Sequence, residues 1–367
     1  MKKNNTEILT IIIPTFNEVK NVDEIIKRLN KVLNQIKFRI IFVDDNSSDG
    51  TIEKVKENQL IQNNIDLIIR VGRRGLAGAC IEGLLNSSSQ LVAVMDCDLQ
   101  HDENILPEMY ALFKKQPTLD LVVGSRHVDQ GMSSSGFSLL REYGSKIAIK
   151  VTQILLRIKI SDPMSGFFMV KYSSLFPVIT KLQPDGFKIL ADILASVQGR
   201  WNVKEIGYIF RKRKSGDSKM NVTVILELIA LILSHLSFRF FSIRFIMFGM
   251  VGASGILVQL ISTFLLMNYI GLDFIIAHIL SVIIAMTSNF ALNNILTFKD
   301  KALTGTKYVK GLLTFYLVCS IGAFLNIAIA DYLFKNFGLW IFSSVSGAFI
   351  AALWNFLFNS IITWKTK

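Results

Sequence analysis

Two carboxylates and an amide occupy every second position of "MDCDLQH": Asp96, Asp98 and Gln100. The run that leads into them, "LVAVMD" (91–96), is apolar and of strand length. Side chains two apart on an extended chain point the same way, so this strand end predicts one site addressed by both acids. Like charges so placed repel unless a cation lies near them. Hard oxygen donors suit Mg²⁺ or Mn²⁺, which keep some of their water and complete their shell with phosphate oxygens. The expected ligands are Asp98, Gln100 and Asp96. The bland alternative for the pair alone is a helix or turn cap.

Acids recur at neighbouring strand ends. "PTFNE" brings Glu18, and "VDDNSSDGT" brings Asp44 and Asp45. Three such ends suggest binding of a nucleoside and a metal-complexed diphosphate rather than solvation. Farther on, "IFRKRKSGDSKM" (209–220) gathers Arg211, Lys212, Arg213, Lys214 and Lys219. It reads as a Gly-Ser loop that clamps phosphates, or as a patch that touches anionic lipids; the two are compatible. His101 is expected to hydrogen-bond near its turn rather than act as acid or base. Asp162 and Asp192 are expected to position loops, with sugar contact open to either.

These residues need a scaffold that gathers strand ends. The strand candidates are "ILTIIIP" (8–14), "FRIIFVD" (38–44), "IDLIIRV" (65–71), "LVAVMD" (91–96) and "DLVVGS" (120–125). Helical patterns separate them; in the first, Ile25, Ile26, Leu29, Val32, Leu33 and Ile36 share one face. Continuous apolar strands alternating with helices predict a mainly parallel sheet covered on both sides. Ligands of such sheets bind beyond the carboxyl ends of the strands, where the polar clusters fall.

The pattern changes near residue 240. Residues 245–272, 274–298, 311–330 and 336–364 contain no Asp, Glu, Lys or Arg. A spanning helix needs about 20 apolar residues, so four transmembrane helices are expected. Lys299, Lys301, Lys307 and Lys310 follow the second, and Lys365 and Lys367 close the chain. The positive-inside rule then places that loop, the C-terminus and the N-terminal domain in the cytoplasm. Segment 222–243 is apolar but interrupted by Glu227, His235 and Arg239. It reads as one or two helices lying in the membrane interface.

A repeat underlies the membrane part. "NFALNNILTFK" (289–299) and "NFLFNSIITWK" (355–365) share Asn-Phe-x-x-Asn-x-x-x-Thr-aromatic-Lys at an offset of 66 residues. Two duplicated helical hairpins are expected, with their amides facing other helices.

Composition sets the outer bounds. The 367 residues carry a net charge of +12, and 51% are hydrophobic. Anionic partners fit: nucleic acid, nucleotides and lipid head groups all qualify on charge alone. Three cysteines without metal-like spacing predict no disulfide framework and no zinc site. The N-terminus does not read as a signal peptide.

"IIIPTFNE", "FVDDNSSDGT", "MDCDLQH", "VVGSR", "SDPMSGFF", "GFKILAD" and Arg-x-x-Gly-x-Ser-Lys (213–219) follow one another in order. The set resembles polyprenyl-phosphate glycosyltransferases of the GT-A fold, close to the dolichyl-phosphate mannose synthases. The resemblance covers roughly residues 8–220, and the tandem hairpins resemble the GtrA-like membrane domain. It implies a GT-A, Rossmann-like α/β domain at 1–220, interfacial amphipathic helices at 221–243, and an all-α four-helix transmembrane domain at 244–367. Pro14, Phe16, Glu18, Val43 and Asp45 would line the nucleoside pocket, with Asp96 and Cys97 at the nucleotide. Asp98 and Gln100 would hold the metal. Arg126, Arg213 and Lys219 would bind the diphosphate and sugar, and Arg141 and Ser145 the lipid phosphate. Phe16 stands where the family usually has Tyr, and Cys97 where it usually has Ala.

The activity so implied is inverting sugar transfer, mannose from GDP-mannose first and glucose from UDP-glucose second. The acceptor would be a polyprenyl or dolichyl phosphate. Membrane lipids are implied partners; nucleic acid is not. Two rival readings are a lipid-sugar flippase or scaffold with a non-catalytic binding domain, and a processive polysaccharide synthase. The second lacks its Gln-x-x-Arg-Trp signature here; Gly199-Arg200-Trp201 has no Gln at the required place.

Overall fold

The computed structural model describes residues 9–365 apart from 73, 129–152, 154–159, 185–187, 212–221 and 238. Two compact units divide the chain, residues 1–240 and 241–367.

In the first unit, parallel β1 (Leu9–Thr15), β2 (Phe38–Asp44), β3 (Ile65–Ile69) and β4 (Leu91–Val94) form four strands of a seven-stranded sheet. β5 (Leu121–Ser125), β6 (Phe168–Lys171) and β7 (Val203–Gly207) complete it in the order β3-β2-β1-β4-β6-β5-β7. β6 is antiparallel to both β4 and β5, and β7 pairs parallel with β5. The sheet is thus mixed at one end, and two of its strands lie outside the five expected. β6 is only four residues long. β7 is an edge strand that turns Lys204 to solvent, so it lacks the apolar run that marks the central strands.

Helices cover both faces. α1 (Val19–Val32) buries Ile25, Ile26 and Leu29 under Leu9, Ile11 and Ile13, the stripe expected from its period. α2 (Thr51–Ile61) and α4 (Leu106–Lys115) also belong to this unit. α3 (Leu76–Asn86) packs close because Gly83 has no Cβ; one added there would stand 3.1 Å from Val43 Cγ2. α5 (Tyr172–Ile179) and α6 (Ile189–Val197) complete the cover of the second face.

α7 (Val222–Leu236) also packs on that face through Leu228 and Ile232. Its outer side leaves Ile225, Ile229, Leu233 and Leu236 exposed. At ~1.5 Å per residue, its 15 residues fall short of the ~30 Å hydrocarbon core.

The second unit holds four helices long and apolar enough to cross a membrane. They are α8 (Ile243–Asn268), α9 (Phe274–Leu292), α10 (Thr306–Phe337) and α11 (Trp340–Phe358). The repeat has a structural meaning. α9 and α11 each end in a π-helical turn, Asn293–Thr297 and Asn359–Thr363. In the first, Asn293 Nδ2 donates to the Asn289 carbonyl at 2.9 Å, and its Oδ1 accepts from Thr297 Oγ1 at 2.7 Å. In the second, Asn359 and Thr363 make the same pair of bonds at 2.8 and 2.7 Å. Phe298 and Trp364, equivalent residues, stack face to face at 4.2 Å. Trp364 Nε1 also donates to Asn294 Oδ1 at 3.0 Å, which joins the two repeats.

The repeated amides Asn289 and Asn355 lie against Gly255 of α8 and Gly322 of α10, where a Cβ would overlap the side-chain amide. Gly255→Ala and Gly322→Ala should each lower stability by about 1–3 kcal/mol, the usual cost of overpacking. Gly252→Ala, with nothing within 4 Å, should be neutral. Thermal unfolding in detergent checks this; equal melting of all three variants would contradict it.

Candidate active site

The first two acidic loops are knitted into one surface. Asn17 and Asn46 adopt left-handed backbone, φ 58° and 59°, which Asn tolerates well, and turn the chain sharply beyond β1 and β2. The Asn17 amide donates to Ser47 Oγ at 2.8 Å, that of Glu18 to Thr51 Oγ1 at 2.9 Å, and that of Val19 to Asp49 Oδ2 at 3.1 Å. Phe16 is 43% exposed, with the Arg74 guanidinium 4.5 Å from its ring centre. Pro14 is buried in β1. Val43 is wholly buried against α3, so its side chain packs the core and does not wall a pocket.

Asp44 and Asp45 are both satisfied internally. Asp44 accepts from Thr15 Oγ1 at 2.8 Å and from the Ser47 amide and hydroxyl at 2.7 Å each. Asp45 accepts from the Gly75 amide at 2.7 Å and from Arg70 Nη1. Burial and the adjacent Asp44 nevertheless outweigh those donors and raise the Asp45 carboxyl above its ordinary value. Arg70 also donates to Glu82 Oε1 at 3.0 Å. Asp45 therefore braces the start of α3. The sequence signal for Arg70 is a basic residue at the end of an apolar strand.

The central turn departs from the strand-end geometry. β4 stops at Val94, and residues 97–99 form a run of bends. Asp96 and Asp98 are therefore not alternate residues of an extended strand. Leu99 reverses the chain at φ 63° with its side chain buried; a branched apolar residue adopts that conformation only where packing dictates it. Asp98 Oδ1 accepts the Gln100 amide at 3.1 Å. The Asp96 side chain is 35% exposed, the Asp98 residue 9%. Cys97 is buried between them; burial, then Glu18, Asp98, Asp96 and Asp44, hold its thiol well above the usual range. That ordering puts the three acidic loops within mutual electrostatic reach.

Gln100 spans to the basic loop. Its Nε2 donates to the Arg211 carbonyl at 3.1 Å, and its carbonyl accepts the Arg211 amide at 3.0 Å. With the amide nitrogen so engaged, the amide oxygen is the end left to meet a cation. Arg211 itself is an anchor, donating to Asp102 Oδ1 and Glu103 Oε2 at 2.6 Å each. Arg213, Lys219, Arg141 and Ser145 lie outside the described residues.

His101 accepts the Asp96 amide on Nδ1 at 3.1 Å and stacks on Phe167 at 5.1 Å. Burial pushes its pKa down to about 4, which suits an acceptor nitrogen. Arg126 grips Asp162 at both ends, Nε to Oδ2 at 2.7 Å and Nη2 to Oδ1 at 2.9 Å. Burial alone would raise the Asp162 carboxyl, but the Arg126 bonds and charge hold it below its ordinary value. Asp162 thus fixes the orientation of the Arg126 guanidinium. Asp192 likewise holds structure, accepting the Gln183 amide at 2.7 Å and His235 Nε2 and Arg239 Nη2 at 2.9 Å each.

Among the described residues, no three His, Cys, Asp or Glu side chains converge on a cation. The donor set still fits Mg²⁺ or Mn²⁺, since such ions take one or two carboxylates and fill the shell with water and phosphate. Asp96 and Asp98 supply hard oxygens beside a polar, half-open turn.

Comparison with known proteins decides the lineage. The glycosyl transferase family 2 profile matches residues 10–176, and the GtrA/DPMS transmembrane domain profile matches 247–364. The dolichol-phosphate mannosyltransferase of Pyrococcus furiosus is 32% identical over 98% of this chain and 99% of its own.

The chain belongs to the dolichol-phosphate mannosyltransferase family.

The enzyme of that name from Saccharomyces cerevisiae is 28% identical over 65% of this chain and 91% of its own. Glucosyl-3-phosphoglycerate synthase of Mycobacterium tuberculosis, solved with Mn²⁺ and UDP-glucose, superposes with a TM-score of 0.50 at 14% identity. That likeness covers 63% of this chain and 80% of that one, and it shows the GT-A fold. The chain is a glycosyltransferase of GT-A architecture joined to a membrane domain of four apolar helices.

Gly166 lets Asp96 and His101 close on the Asp162 loop. A Cβ there would stand 3.3 Å from Asp96 Oδ2 and 3.4 Å from His101 Cε1. Gly166→Ala should cut kcat/KM by roughly tenfold or more, since a small displacement at a reacting centre is costly, with little change in Tm. Steady-state kinetics beside thermal unfolding check this; unchanged kcat/KM would contradict it.

Proposed function

We propose that this protein transfers mannose, with inversion, from GDP-mannose to a polyprenyl (dolichyl) phosphate at the cytoplasmic membrane face. The observation that carries the reading is identity with the Pyrococcus furiosus enzyme along nearly the whole length of both chains, catalytic and membrane parts together. The acidic strand-end site supplies the chemistry.

The bond from the anomeric carbon to the diphosphate oxygen breaks, and a bond from that carbon to a lipid phosphate oxygen forms. The nucleoside diphosphate leaves with the electron pair. One displacement inverts the centre, so an α-linked donor gives a β-linked product. The acceptor phosphate is already anionic, so no general base is needed. This agrees with a buried, neutral His101 committed to the Asp96 amide.

The protein's work is then orientation and charge. Phe16, Glu18 and Asp45 border the nucleoside side, with the Pro14 and Val43 strands behind. Arg126, fixed by Asp162, offers its guanidinium edge to phosphate. Arg213 and Lys219 would add donors to the leaving diphosphate, and Arg141 and Ser145 would hold the lipid phosphate. Asp98, Asp96 and Gln100 would hold Mg²⁺ or Mn²⁺, which neutralises diphosphate charge when bound. The exposed stripe of α7, Ile225, Ile229, Leu233 and Leu236, suits the interfacial layer of an anionic membrane. Lysines after the second and fourth spans support the cytoplasmic side.

Purified protein incubated with Mg²⁺, dolichyl phosphate and either GDP-mannose or UDP-glucose tests the donor. Glycolipid should form from GDP-mannose, cease with EDTA, and fall by at least ~10³-fold in Asp98→Ala, as expected when a charge-stabilising group is lost. Turnover of UDP-glucose alone would overturn the mannose assignment. Full activity of Asp98→Ala would overturn the site.

A further inference from the structure

Lys188, in "GFKILAD", has had no role above, yet it caps the start of α6. α6 starts at the next residue, and the Lys188 carbonyl accepts the Asp192 amide at 3.1 Å. Asp192 in turn ties α6 to Gln183 and to His235 and Arg239. The backbone under Lys188 is therefore held from two sides.

Its ammonium is partly buried and points toward the Asp162–Phe167 loop, where Nζ donates to the Met164 carbonyl at a long 3.5 Å. Among the described residues, no carboxylate lies within ion-pair distance of it. Asp162, Asp96 and Glu227, on three separate elements, act on it electrostatically, and Arg126 adds a like charge. Burial first, then Arg126, lowers the lysine pKa. A strongly hydrated cation with three donors and one weak partner is costly to bury. An incoming anion would remove that cost. Arg126 has Nε and Nη2 turned to Asp162, so Nη1 is the guanidinium nitrogen not used in that pair.

We propose that Lys188 binds a phosphate oxygen of the reactants, as a phosphate-contacting residue beside Arg126. The inference rests on the proposed glycosyl transfer, which supplies two phosphate sources: the nucleotide diphosphate and the lipid monophosphate. Transfer moves negative charge from the second toward the first, so one lysine between them serves either.

The test compares full-length wild type with Lys188→Met and Lys188→Gln, each checked for Tm in detergent. Titration calorimetry gives the Kd of GDP with Mn²⁺, and kinetics gives the KM of dolichyl phosphate. One of the two should rise roughly 10- to 100-fold, the range of a charge-assisted hydrogen bond. A weaker GDP affinity identifies the diphosphate as the contact; a raised acceptor KM identifies the lipid phosphate. Lys188→Gln keeps a donor without the charge and covers the case in which the methionine variant fails to fold. A folded variant with both constants within twofold of wild type overturns the proposal. So does a fall in kcat alone, which would mark Lys188 as structural. If wild type turns over UDP-glucose and not GDP-mannose, the mannose reading fails. The same comparison then runs with UDP and still decides Lys188.

Discussion

Negative charge concentrated at the carboxyl ends of parallel strands is the constraint around which the catalytic unit is arranged. Asp44, Asp45, Asp96, Asp98 and Asp162 share one edge of the sheet and its adjoining loop, and four of the five are buried. Buried carboxylates are tolerated only with donors or counter-charges. Asp44 takes Thr15 and Ser47, Asp45 takes Gly75 and Arg70, and Asp162 takes Arg126. Asp96 remains the most open, and Asp98 turns one oxygen to the Gln100 amide. Asp96 and Asp98 bring hard carboxylate oxygens to one turn, the donor type that suits Mg²⁺ or Mn²⁺. A divalent cation carried in with a diphosphate would complete its shell with water and phosphate oxygens and would need no preformed cage of protein ligands.

The same logic explains the neutral and cationic groups around the turn. A histidine whose ring nitrogen accepts the Asp96 amide must stay unprotonated, and the Phe167 stack and burial keep it so. Gly166 allows that packing. Gln100 then ties the turn to Arg211, so the basic segment begins beside the acids it must answer. On the other side, Asp192 fastens α7 and the residue Arg239 beyond it to α6.

Much of this was legible in the sequence because it rests on short-range pattern. Five of the seven strands, the α1 stripe, the four spans and the hairpin repeat all carry strong periodicity or strong hydrophobicity. The acids after β1, β2 and β4 could be read as one site because strand ends of a parallel sheet gather. β6 and β7 could not: one is four residues long, and the other turns charged residues outward on an edge. Asp96 and Asp98 depart from the alternation expected of a strand, since the strand ends at Val94 and the left-handed Leu99 depends on tertiary packing. Arg70, Gly166 and Lys188 gain their meaning only from partners 25, 70 and 24 positions away, which no local pattern shows. The identity of Val43 as core rather than pocket wall likewise depends on α3 approaching at Gly83.

The account turns on a divalent ion that joins the Asp96–Asp98 turn to a nucleotide diphosphate. Mn²⁺ binding to the full-length protein, followed by electron paramagnetic resonance with and without GDP, examines that directly. Mn²⁺ should be captured tightly only when GDP is present, and Asp98→Asn should abolish the capture while the protein stays folded. GDP bound equally well in the presence of EDTA, with Mn²⁺ remaining free in solution, would contradict it.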